Sequence, residues 1–432
     1  MNFTKEAQAL EAKTIARRRD FHQHPEAAWT EYRTAAFVAK TLTELGFDVA
    51  CGAAVIAEDA MMGVPDAAVL VEHEQRAIAE GADPAWVARL AGGKTGVVGT
   101  LHFAKPGKTV AFRFDMDAND VEEATDTGHR PAQEGFASCH KSVMHACGHD
   151  GHTSLGLAVA ELLANAKNSL CGTVKLIFQP AEEGVRGAKA MVEAGVADDV
   201  DYLFGMHIGF NANKGGQFAC MTDGFLATTK LDARFTGVSS HAGAAPEQGK
   251  NALLAAAASS IAVHSISRHG QGASRINVGV LQAGTGRNVL PDRAVVKLET
   301  RGATTDINGF MLAEVERMVK ASALMYDVSV ETEIMGGAPS CALNKEMGAR
   351  VCELVTKSGR FAHVIPQVSL GASEDCAYFM ERVQQQGGQA VYMMLGTQIA
   401  AGHHNFHFDF NEDCLAKGAA MAAELVADFL RK

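Results

Sequence analysis

The sequence predicts an α/β fold built from two domains, and three observations support this prediction. The chain has 432 residues, which is more than one hydrophobic core usually supports. In its first half, helix-periodic segments alternate with short apolar runs, which indicates helices packed around a mostly parallel sheet. Near residue 225 the pattern changes to alternating strands and a long alanine-rich segment. The predicted domains are therefore residues 1–224 together with 337–432, and an inserted domain at residues 225–336.

The first domain is predicted to begin with helices and to continue as alternating strands and helices. The predicted helices cover residues 5–25, 27–45, 153–166 and 185–195. The predicted strands cover residues 96–103, 109–114, 172–178 and 202–208, and a Pro106-Gly107 turn joins the first two. Residues 52–94 are small, acidic and weakly periodic, with helical pieces at 66–80 and 85–91. We interpret them as an insertion folded against this scaffold.

The inserted domain is predicted to contain a ββα-like set of elements. Its predicted strands cover residues 227–235, 276–282, 294–299 and 328–334, and its predicted helices cover residues 252–266 and 308–326. A Gly284-Thr285-Gly286 turn separates the second strand from the third. Residues 337–432 are expected to return to the first domain, because they carry another pair of metal-type histidines.

Composition excludes several classes of protein. Hydrophobic residues make up 47% and charged residues 21% of the chain, as in ordinary globular proteins, and a formal net charge of −11 argues against a nucleic-acid binder. The nine cysteines show no framework pattern, and the N-terminus lacks the layout of a signal peptide. The most apolar stretch, residues 252–266, is too short to span a bilayer. We therefore expect a cytoplasmic protein with reduced thiols.

The segment from His145 to His152 carries the strongest chemical signal. Its sequence, HACGHDGH, offers a thiol, three imidazoles and a carboxylate, with glycines that let the backbone turn tightly. Few tasks other than binding a transition metal need that mixture of donors. The alternative is a polar loop whose histidines merely satisfy one another.

Three further clusters of ligand-type residues each follow an apolar run. They comprise the carboxylates Asp115 and Asp117, the adjacent glutamates Glu182 and Glu183, and the histidines His207, His403 and His404. Each cluster alone has an ordinary explanation, such as a solvated strand end, a surface carboxylate pair or a core histidine. Together they predict one or two metal sites.

Five motifs, taken in order, resemble a known enzyme family. They are residues 19–26, 115–118, 145–152, 178–184 and 240–243. They are similar to the dinuclear metallopeptidase family of aminoacylases, hippurate hydrolases and indole-acetyl-amino-acid hydrolases. Residues 52–94, 136–139 and 396–405 resemble, more narrowly, the A-type chains of p-aminobenzoyl-glutamate hydrolases. The resemblance implies an α/β/α, aminopeptidase-like catalytic domain with an inserted smaller α+β lid/dimerisation domain.

The resemblance also implies roles for residues of the first domain. The implied metal ligands are Cys147, His149, Glu183, His207 and His404. Glu182 would act as general base, and Asp117 would orient a ligand from behind. His145, His152 and His403 match the family less clearly and could lie behind the ligands or face the substrate. The implied cofactor is a pair of divalent ions, manganese by family resemblance, with zinc possible for this ligand set.

In the inserted domain, the motif at residues 239–244 resembles one whose histidine reaches the partner's active site across a dimer interface. His241 would then stabilise the oxyanion, although a helix-capping loop is an alternative. Arg275, Asn288 and Arg301 match positions that hold a substrate carboxylate in relatives, while an exposed arginine can also be a solubilising charge. Gly371 resembles a loop glycine whose backbone contacts substrate.

The expected function is metal-dependent hydrolysis of an N-aroyl or N-acyl amino acid, with p-aminobenzoyl-glutamate as the first candidate substrate. Hippurate and indole-acetyl-aspartate are alternatives with the same chemistry. A different class of alternative is a non-catalytic subunit that completes a related B-type chain. The presence of every family-matching ligand and of Glu182 argues against that alternative. A homodimer through the lid domain and a heteromer both remain open.

Overall fold

The computed structural model describes residues 2–431 as two compact units. The larger unit comprises residues up to 223, residues 342–370 and residues from 375 onwards, and the smaller comprises residues 224–341 and 371–374. The sequence analysis placed the boundaries after residues 224 and 336. The smaller unit ends later than that, because its last strand continues to Ala338 and is still paired with Thr228 at that residue, after an irregularity at Met335.

The first part of the larger unit begins with two helices and then alternates between strands and further helices. Its first helices are α1 (Phe3–Gln23), α2 (Tyr32–Glu44), α3 (Ala67–Ala79), α4 (Pro84–Arg89), α5 (Arg130–Glu134), α6 (His149–Asn165) and α7 (Ala188–Glu193). Its first strands are β1 (Asp48–Cys51), β2 (Val97–His102), β3 (Thr109–Asp115), β4 (Thr173–Gln179), β5 (Tyr202–Ile208), β6 (Gln217–Ala219) and β7 (Thr222–Asp223).

The smaller unit is a four-stranded antiparallel sheet with two helices. It contains β8 (Ala227–Thr236), α8 (Ala252–His264), β9 (Ser274–Ala283), β10 (Arg293–Gly302), α9 (Thr305–Met325) and β11 (Ser329–Ala338). The strand order is β11-β8-β10-β9. Alternate residues of β10 are buried against the helices, and a separate apolar core forms there.

The chain then completes the larger unit. The remaining elements are α10 (Lys345–Ser358), β12 (His363–Ile365), β13 (Val368–Ser369), α11 (Cys376–Gln385), β14 (Gln389–Leu395) and α12 (Cys414–Phe429). The large sheet has eight strands in the order β1-β2-β4-β3-β5-β14-β6-β12, and β13 pairs with β7 separately. None of the helices among residues 2–431 combines the length and apolarity needed to span a bilayer.

Helices cover both faces of the large sheet. The Phe204 ring packs on Phe429 of α12, whereas a Cβ added at Gly205 would meet the Cys376 sulfur of α11. Successive residues of a strand point to opposite faces, so α12 and α11 lie on opposite sides of β5. Helices α1, α6 and α12 pack together, as do α7 and α11. This is the α/β/α arrangement that the sequence predicts.

The large sheet is mostly parallel, as predicted, but it has antiparallel pairs as well. Four of its seven strand pairings are parallel, namely those within β4-β3-β5-β14 and that of β6 with β12, while β1, β2 and β6 each pair antiparallel with a neighbour. The segment with Pro106 and Gly107 joins β2 to β3 along the chain, and β4 lies between these strands in the sheet. Apolar runs in a sequence identify strands and leave their direction undetermined.

The 52–94 insertion is the connection between two adjacent strands, because Cys51 at the end of β1 pairs with Val97 at the start of β2. Leu90 and Ala77 of this segment are buried in the core of the larger unit. The Trp29 indole N–H donates a hydrogen bond of 2.8 Å to the Met62 carbonyl oxygen. The insertion is therefore packed on the scaffold, as predicted.

Candidate metal centre

The polar clusters meet because they follow neighbouring parallel strands. Asp117 lies just beyond β3, Glu183 beyond β4, His207 near the end of β5, and His404 in the segment after β14. The carboxyl ends of parallel strands lie at the same edge of a sheet, where ligands usually bind. Side chains that are far apart in the sequence are in this way brought to one place.

The HACGHDGH segment enters α6 within the same site. Gly148 has φ +90°, a left-handed conformation that glycine adopts without steric cost, and it precedes the first turn of α6. A Cβ at Gly151 would lie 2.6 Å from the Phe410 ring, so this position also requires glycine. The sequence analysis placed the start of this helix at Thr153. The helix begins earlier, at His149, and therefore carries His149 and His152 on its first turn.

Five side chains form two donor groups that share the Cys147 sulfur. One donor atom each from Cys147, His149 and His207 lies within 4.8 Å of the others, and the same holds for Cys147, Glu183 and His404. The distance from Cys147 Sγ to His207 Nε2 is 3.5 Å. His404 Nε2 lies 3.4 Å from Glu183 Oε1. These are the five residues for which the family resemblance implies metal binding.

Hydrogen bonds to backbone carbonyls orient two of the histidines. His149 Nδ1 lies 2.9 Å from the Asp117 carbonyl oxygen, and His207 Nδ1 lies 2.8 Å from that of Ile208. A carbonyl oxygen only accepts, so in each neutral ring Nδ1 carries the proton and Nε2 presents a lone pair. Metal-binding histidines are usually held in this manner.

Asp117 joins two parts of the site. Its Oδ1 and Oδ2 atoms accept hydrogen bonds from the backbone N–H groups of Glu182 and Glu183, at 3.0 and 2.8 Å. Oδ1 also lies 3.3 Å from His149 Nδ1. The carboxylate therefore fixes the glutamate loop relative to α6. Glu182, Glu183 and His149 form a further group of donor atoms within 4.8 Å.

Asp115 belongs to a buried network behind the donor groups. Its Oδ2 accepts a hydrogen bond of 2.6 Å from Arg113, and its Oδ1 accepts a short hydrogen bond from His152 Nδ1. His152 Nε2 in turn accepts the Ile208 N–H at 2.9 Å. Burial disfavours ionisation, but Arg113, His149 and His152 together outweigh it and hold the pKa of Asp115 well below its usual range. His152 therefore stands behind the site and supports its neighbours.

His145 is buried and His403 is partly buried. The His403 ring stacks on Phe210 with centroids 4.1 Å apart, and its Nε2 lies 3.1 Å from the Ile208 carbonyl oxygen. Burial lowers the pKa of His403 to about 4 and that of His145 to about 3. Both rings are therefore neutral at physiological pH. His404, in contrast, is largely exposed and has a positive φ of +64°.

Three residues to which the sequence analysis gave no role hold this site in place. Glu31 accepts the Ala181 N–H at 2.8 Å, where φ of +53° turns the chain into the glutamate loop. Asn119 accepts the Ala146 N–H at 3.1 Å, next to Cys147. Asp375 accepts hydrogen bonds from Arg113 and from Gln179. Of these three, Asn119 could have been found from the sequence, because it lies two residues beyond the predicted site residue Asp117.

The donor set fits divalent metal ions. His149 Nε2 is buried without a hydrogen-bond partner, and its ring faces Asp115 Oδ2 at 3.7 Å and Glu183 Oε1 at 4.0 Å. Burial opposes the charged ring, but the surrounding carboxylates raise the pKa of His149 to about 10. Burial and the charges of Glu183 and Glu182 raise the pKa of the Cys147 thiol well above its usual value. A cation among these groups would stabilise both the lone pair and the thiolate.

The sequence-predicted residues of the smaller unit fall into three places. His241 forms a bridge with Val289, and the Asn288 carbonyl oxygen accepts the Ala242 N–H at 2.9 Å, so His241 and Asn288 are neighbours. Arg275 and Arg301 lie opposite each other in the register of β9 and β10. Gly371, with φ +66°, belongs to the short 371–374 stretch and faces open space.

The His241 ring has a defined orientation. Its Nδ1 accepts the backbone N–H groups of Gly243 at 3.1 Å and Ala244 at 3.0 Å. The neutral ring therefore carries its proton on Nε2. The two facing arginines place like charges side by side, which is unfavourable unless an anion lies between them. Arg301 already pairs with Glu299 at 2.9 Å on the same strand.

A profile of the peptidase family M20/M25/M40 matches residues 111–428. The chain belongs to this family, and it is a hydrolase that acts on amide bonds.

Individual relatives cover almost the whole chain. The A-type chain of the p-aminobenzoyl-glutamate hydrolase of Escherichia coli K12 is 48% identical over 413 residues, which are 95% of this chain and 94% of the relative. The indole-3-acetyl-aspartic acid hydrolase of Enterobacter agglomerans is 50% identical over 400 residues, 92% of each chain. The crystal structure of an aminobenzoyl-glutamate utilization protein from Klebsiella pneumoniae has a TM-score of 0.85 at 39% identity, covering 99% of this chain and 98% of that one.

Proposed function

We propose that the chain hydrolyses the amide bond of p-aminobenzoyl-glutamate, releasing p-aminobenzoate and glutamate. The observation that carries the proposal is the pair of donor groups sharing Cys147, with the Glu182 carboxylate beside them. Cys147, His149, Glu183, His207 and His404 would hold two divalent ions, and we assign manganese, with zinc as the other ion that suits these ligands. When bound, such ions lower the pKa of water and polarise the carbonyl group.

The chain's own residues account for the proton transfers. The Glu182 carboxylate takes a proton from the attacking water as the amide carbonyl is attacked, and it then delivers that proton to the leaving amine nitrogen. Asp117 keeps the Glu182 backbone and the His149 ring in position. The exposed His241 carries its proton on Nε2, and it would donate this proton in a hydrogen bond to the developing oxyanion.

We assign the larger unit as the catalytic domain and the smaller as a lid/dimerisation domain. In this proposal His241 serves the site of the other chain in a dimer, which is either a homodimer or a heteromer with a related B-type chain. The Escherichia coli relative is named as the A-type member of its hydrolase, which supports the second form. Arg275, Arg301 and Asn288 would bind the substrate carboxylates, and the Gly371 backbone would contact the substrate. We place the reaction in the cytoplasm and in folate breakdown.

The first experiment measures glutamate release from p-aminobenzoyl-glutamate by the purified chain. The protein is stripped of metal, and manganese or zinc is then restored. Release should require metal and should be lost in Glu182→Gln, which keeps the size of the side chain and removes its basicity. The exposed Glu247→Gln serves as the matched control. Metal-independent release, or full activity in Glu182→Gln, would contradict the proposal.

Indole-3-acetyl-aspartate is a second candidate substrate, because the Enterobacter agglomerans relative named for it is as similar to this chain as the Escherichia coli relative is. Both substrates join an aromatic acyl group to an acidic amino acid. The ratio of kcat/KM for the two compounds distinguishes them, and hippurate tests whether an acidic side chain is needed. If the arginines bind that side chain, p-aminobenzoyl-glutamine should not be turned over.

A further inference from the structure

A second group of metal-type side chains lies away from the catalytic centre. Glu80 directly follows α3 in the 52–94 insertion, and Cys139 and His140 lie in the segment that precedes the HACGHDGH motif. One donor atom from each of these three residues lies within 4.8 Å of the other two. The proposed hydrolysis uses none of them.

The His140 ring is oriented as a metal ligand would be. Its Nδ1 lies 2.8 Å from the Pro25 carbonyl oxygen, so Nδ1 carries a proton and donates it. Its Nε2 lies 2.6 Å from Glu80 Oε1. The lone pair of a neutral ring and a carboxylate oxygen both accept hydrogen bonds, so a positive charge must lie between them. That charge is either a second proton on the ring or a bound cation.

Neighbouring arginines do not supply this charge, because each has another carboxylate partner. Arg33 forms two hydrogen bonds of 2.9 Å with Asp20. Arg76 pairs with Glu26 at 3.1 Å, and its Nε forms only a longer ion pair of 3.9 Å with Glu80 Oε2. The close partner of Glu80 Oε1 is His140.

Polar atoms around this group are buried without a hydrogen-bond partner among the described residues. They include Glu80 Oε2 and Arg76 Nε, which lie 3.9 Å apart. A buried acceptor without a partner is unfavourable unless a cation or a donor reaches it. Glu80 therefore retains an oxygen that can bind a cation.

We propose that Glu80, Cys139 and His140 bind a divalent cation of the zinc class, in addition to the ions of the catalytic centre. A thiolate, an imidazole and a carboxylate are the ligands that zinc takes in proteins, and water completes four-coordination. The ion would fasten the end of α3 to the segment that leads to Cys147. The binding of this ion is independent of which amide substrate the enzyme hydrolyses.

The test uses cobalt, which substitutes for zinc and gives a charge-transfer absorption band when bound to thiolate. The full chain carrying Cys147→Ser is stripped of metal and titrated with cobalt, so that a thiolate band cannot come from the catalytic centre. We expect this variant to show the band, and Cys139→Ser/Cys147→Ser to lose it. Cys341→Ser/Cys147→Ser is the matched control and should keep the band.

Zinc content provides a second readout that leaves Cys147 in place. Cys139→Ser and His140→Gln should each bind about one zinc ion fewer per chain than the unmodified protein, which should hold about three. Glutamine at 140 can still donate to the Pro25 carbonyl, so the local fold is retained. Absence of a thiolate band in Cys147→Ser, or equal zinc content in all chains, would overturn the proposal. His140 and Glu80 would then be a proton-mediated ion pair.

Discussion

At the scale of the residue, the hydrogen bond on the rear nitrogen of a histidine decides what the front nitrogen can do. His149 and His207 both use Nδ1 to contact a backbone carbonyl, which leaves Nε2 to face the donor groups. His241 is held in the opposite sense, since its Nδ1 accepts two backbone N–H groups. The same side chain thus presents the Nε2 lone pair of the neutral ring in one unit and an Nε2–H group in the other, as the proposed roles require.

Asp117→Asn should weaken metal binding. An amide in place of the carboxylate presents an N–H group to one of the two backbone N–H groups of the glutamate loop, and the charge beside His149 is lost. We expect metal affinity to fall about 10- to 100-fold, as is common for residues that orient metal ligands. Competition with a chelator measures it. The exposed Asp120→Asn is the control, and equal affinity in both variants would contradict the assigned role.

Arg275→Met and Arg301→Met test the assignment of substrate binding. Each should lower kcat/KM for p-aminobenzoyl-glutamate about 10- to 100-fold, because a charge-assisted hydrogen bond contributes about 1.5–3 kcal/mol. Arg293→Met is a matched control on the same face of β10. If all three variants behave alike in steady-state assays, the facing arginines have no part in recognition.

Residue types were predictable from the sequence, whereas their partners were not. The family resemblance singled out Cys147, His149, Glu183, His207 and His404, and the structure brings these five together. Nothing in the sequence connects Arg113 to Asp375, which are 262 positions apart. That ion pair depends on the packing of α11 against β5, the neighbour of the strand that carries Arg113, so it follows from tertiary structure.

At the scale of the element, the site depends on how α1 is attached to α6. Arg18 is fully buried, and its Nε lies 2.7 Å from Asp150 Oδ2. His22 Nδ1 lies 2.8 Å from Asp150 Oδ2, and His22 Nε2 lies 2.9 Å from Glu123 Oε1, so the ring connects the two carboxylates. Because α6 carries His149 next to Asp150, this network fixes the first turn of the helix that carries the proposed ligand His149. Removing one partner of a buried ion pair commonly costs about 3–5 kcal/mol.

His22 gives this attachment a predictable pH dependence. Burial and the nearby Arg18 disfavour the charged ring, but hydrogen bonds to Asp150 and Glu123 outweigh them and raise the pKa of His22. Because the pKa of His22 is higher in the folded chain than in the unfolded chain, the charged ring stabilises the fold fully at pH values below the unfolded pKa of about 6.5. This stabilisation is lost as the pH rises through the pKa of the folded chain. Glu123 has a lowered pKa, and its contribution is already complete above its unfolded value of about 4.3.

The free energy of unfolding should therefore differ more between the unmodified chain and His22→Gln at about pH 6 than at about pH 9. Urea unfolding at the two pH values measures the difference. The exposed His102→Gln is the control and should show no such change. A His22→Gln effect of the same size at both pH values would mean that the ring acts without its charge.

Strands and helices were predicted where apolar periodicity is strong. The strands β3, β4, β5 and β8 lie where the sequence placed them. The start of α6 was missed because His149-Asp150-Gly151-His152 is polar in sequence, yet all four residues are buried. No strand was predicted at residues 389–395, where β14 lies. The apolar run there is as clear as that of β5, so β14 was predictable from its sequence.

At the scale of the whole molecule, each unit has a core of its own, one around the eight-stranded sheet and one between α8, α9 and the four-stranded sheet. The donor groups belong to the larger unit, and His241 belongs to the smaller. If His241 serves the site of a partner, two inactive variants should complement each other. Subunit exchange between His241→Ala and Glu182→Gln would create dimers with one intact site.

A mixture of the two variants, exchanged in equal amounts, should recover about a quarter of the unmodified activity, because half of the dimers are mixed and each has one complete site. Each variant alone, treated identically, sets the background. Activity that stays at the sum of the two backgrounds after exchange, verified by mass spectrometry of the dimers, would place His241 and Glu182 in the service of the same chain's site.

The smaller unit is nearly continuous along the chain, and this bears on how such enzymes acquire different substrate preferences. Apart from residues 371–374, it is one uninterrupted stretch from 224 to 341, with its own hydrophobic core and a single point of exit and return. A stretch of that kind can be exchanged between relatives as a cassette. A chimera carrying residues 224–341 from the indole-3-acetyl-aspartic acid hydrolase would keep every metal donor of this chain. Its choice of acyl-amino acid would then reveal how far substrate preference is inherited separately from the bond-breaking chemistry.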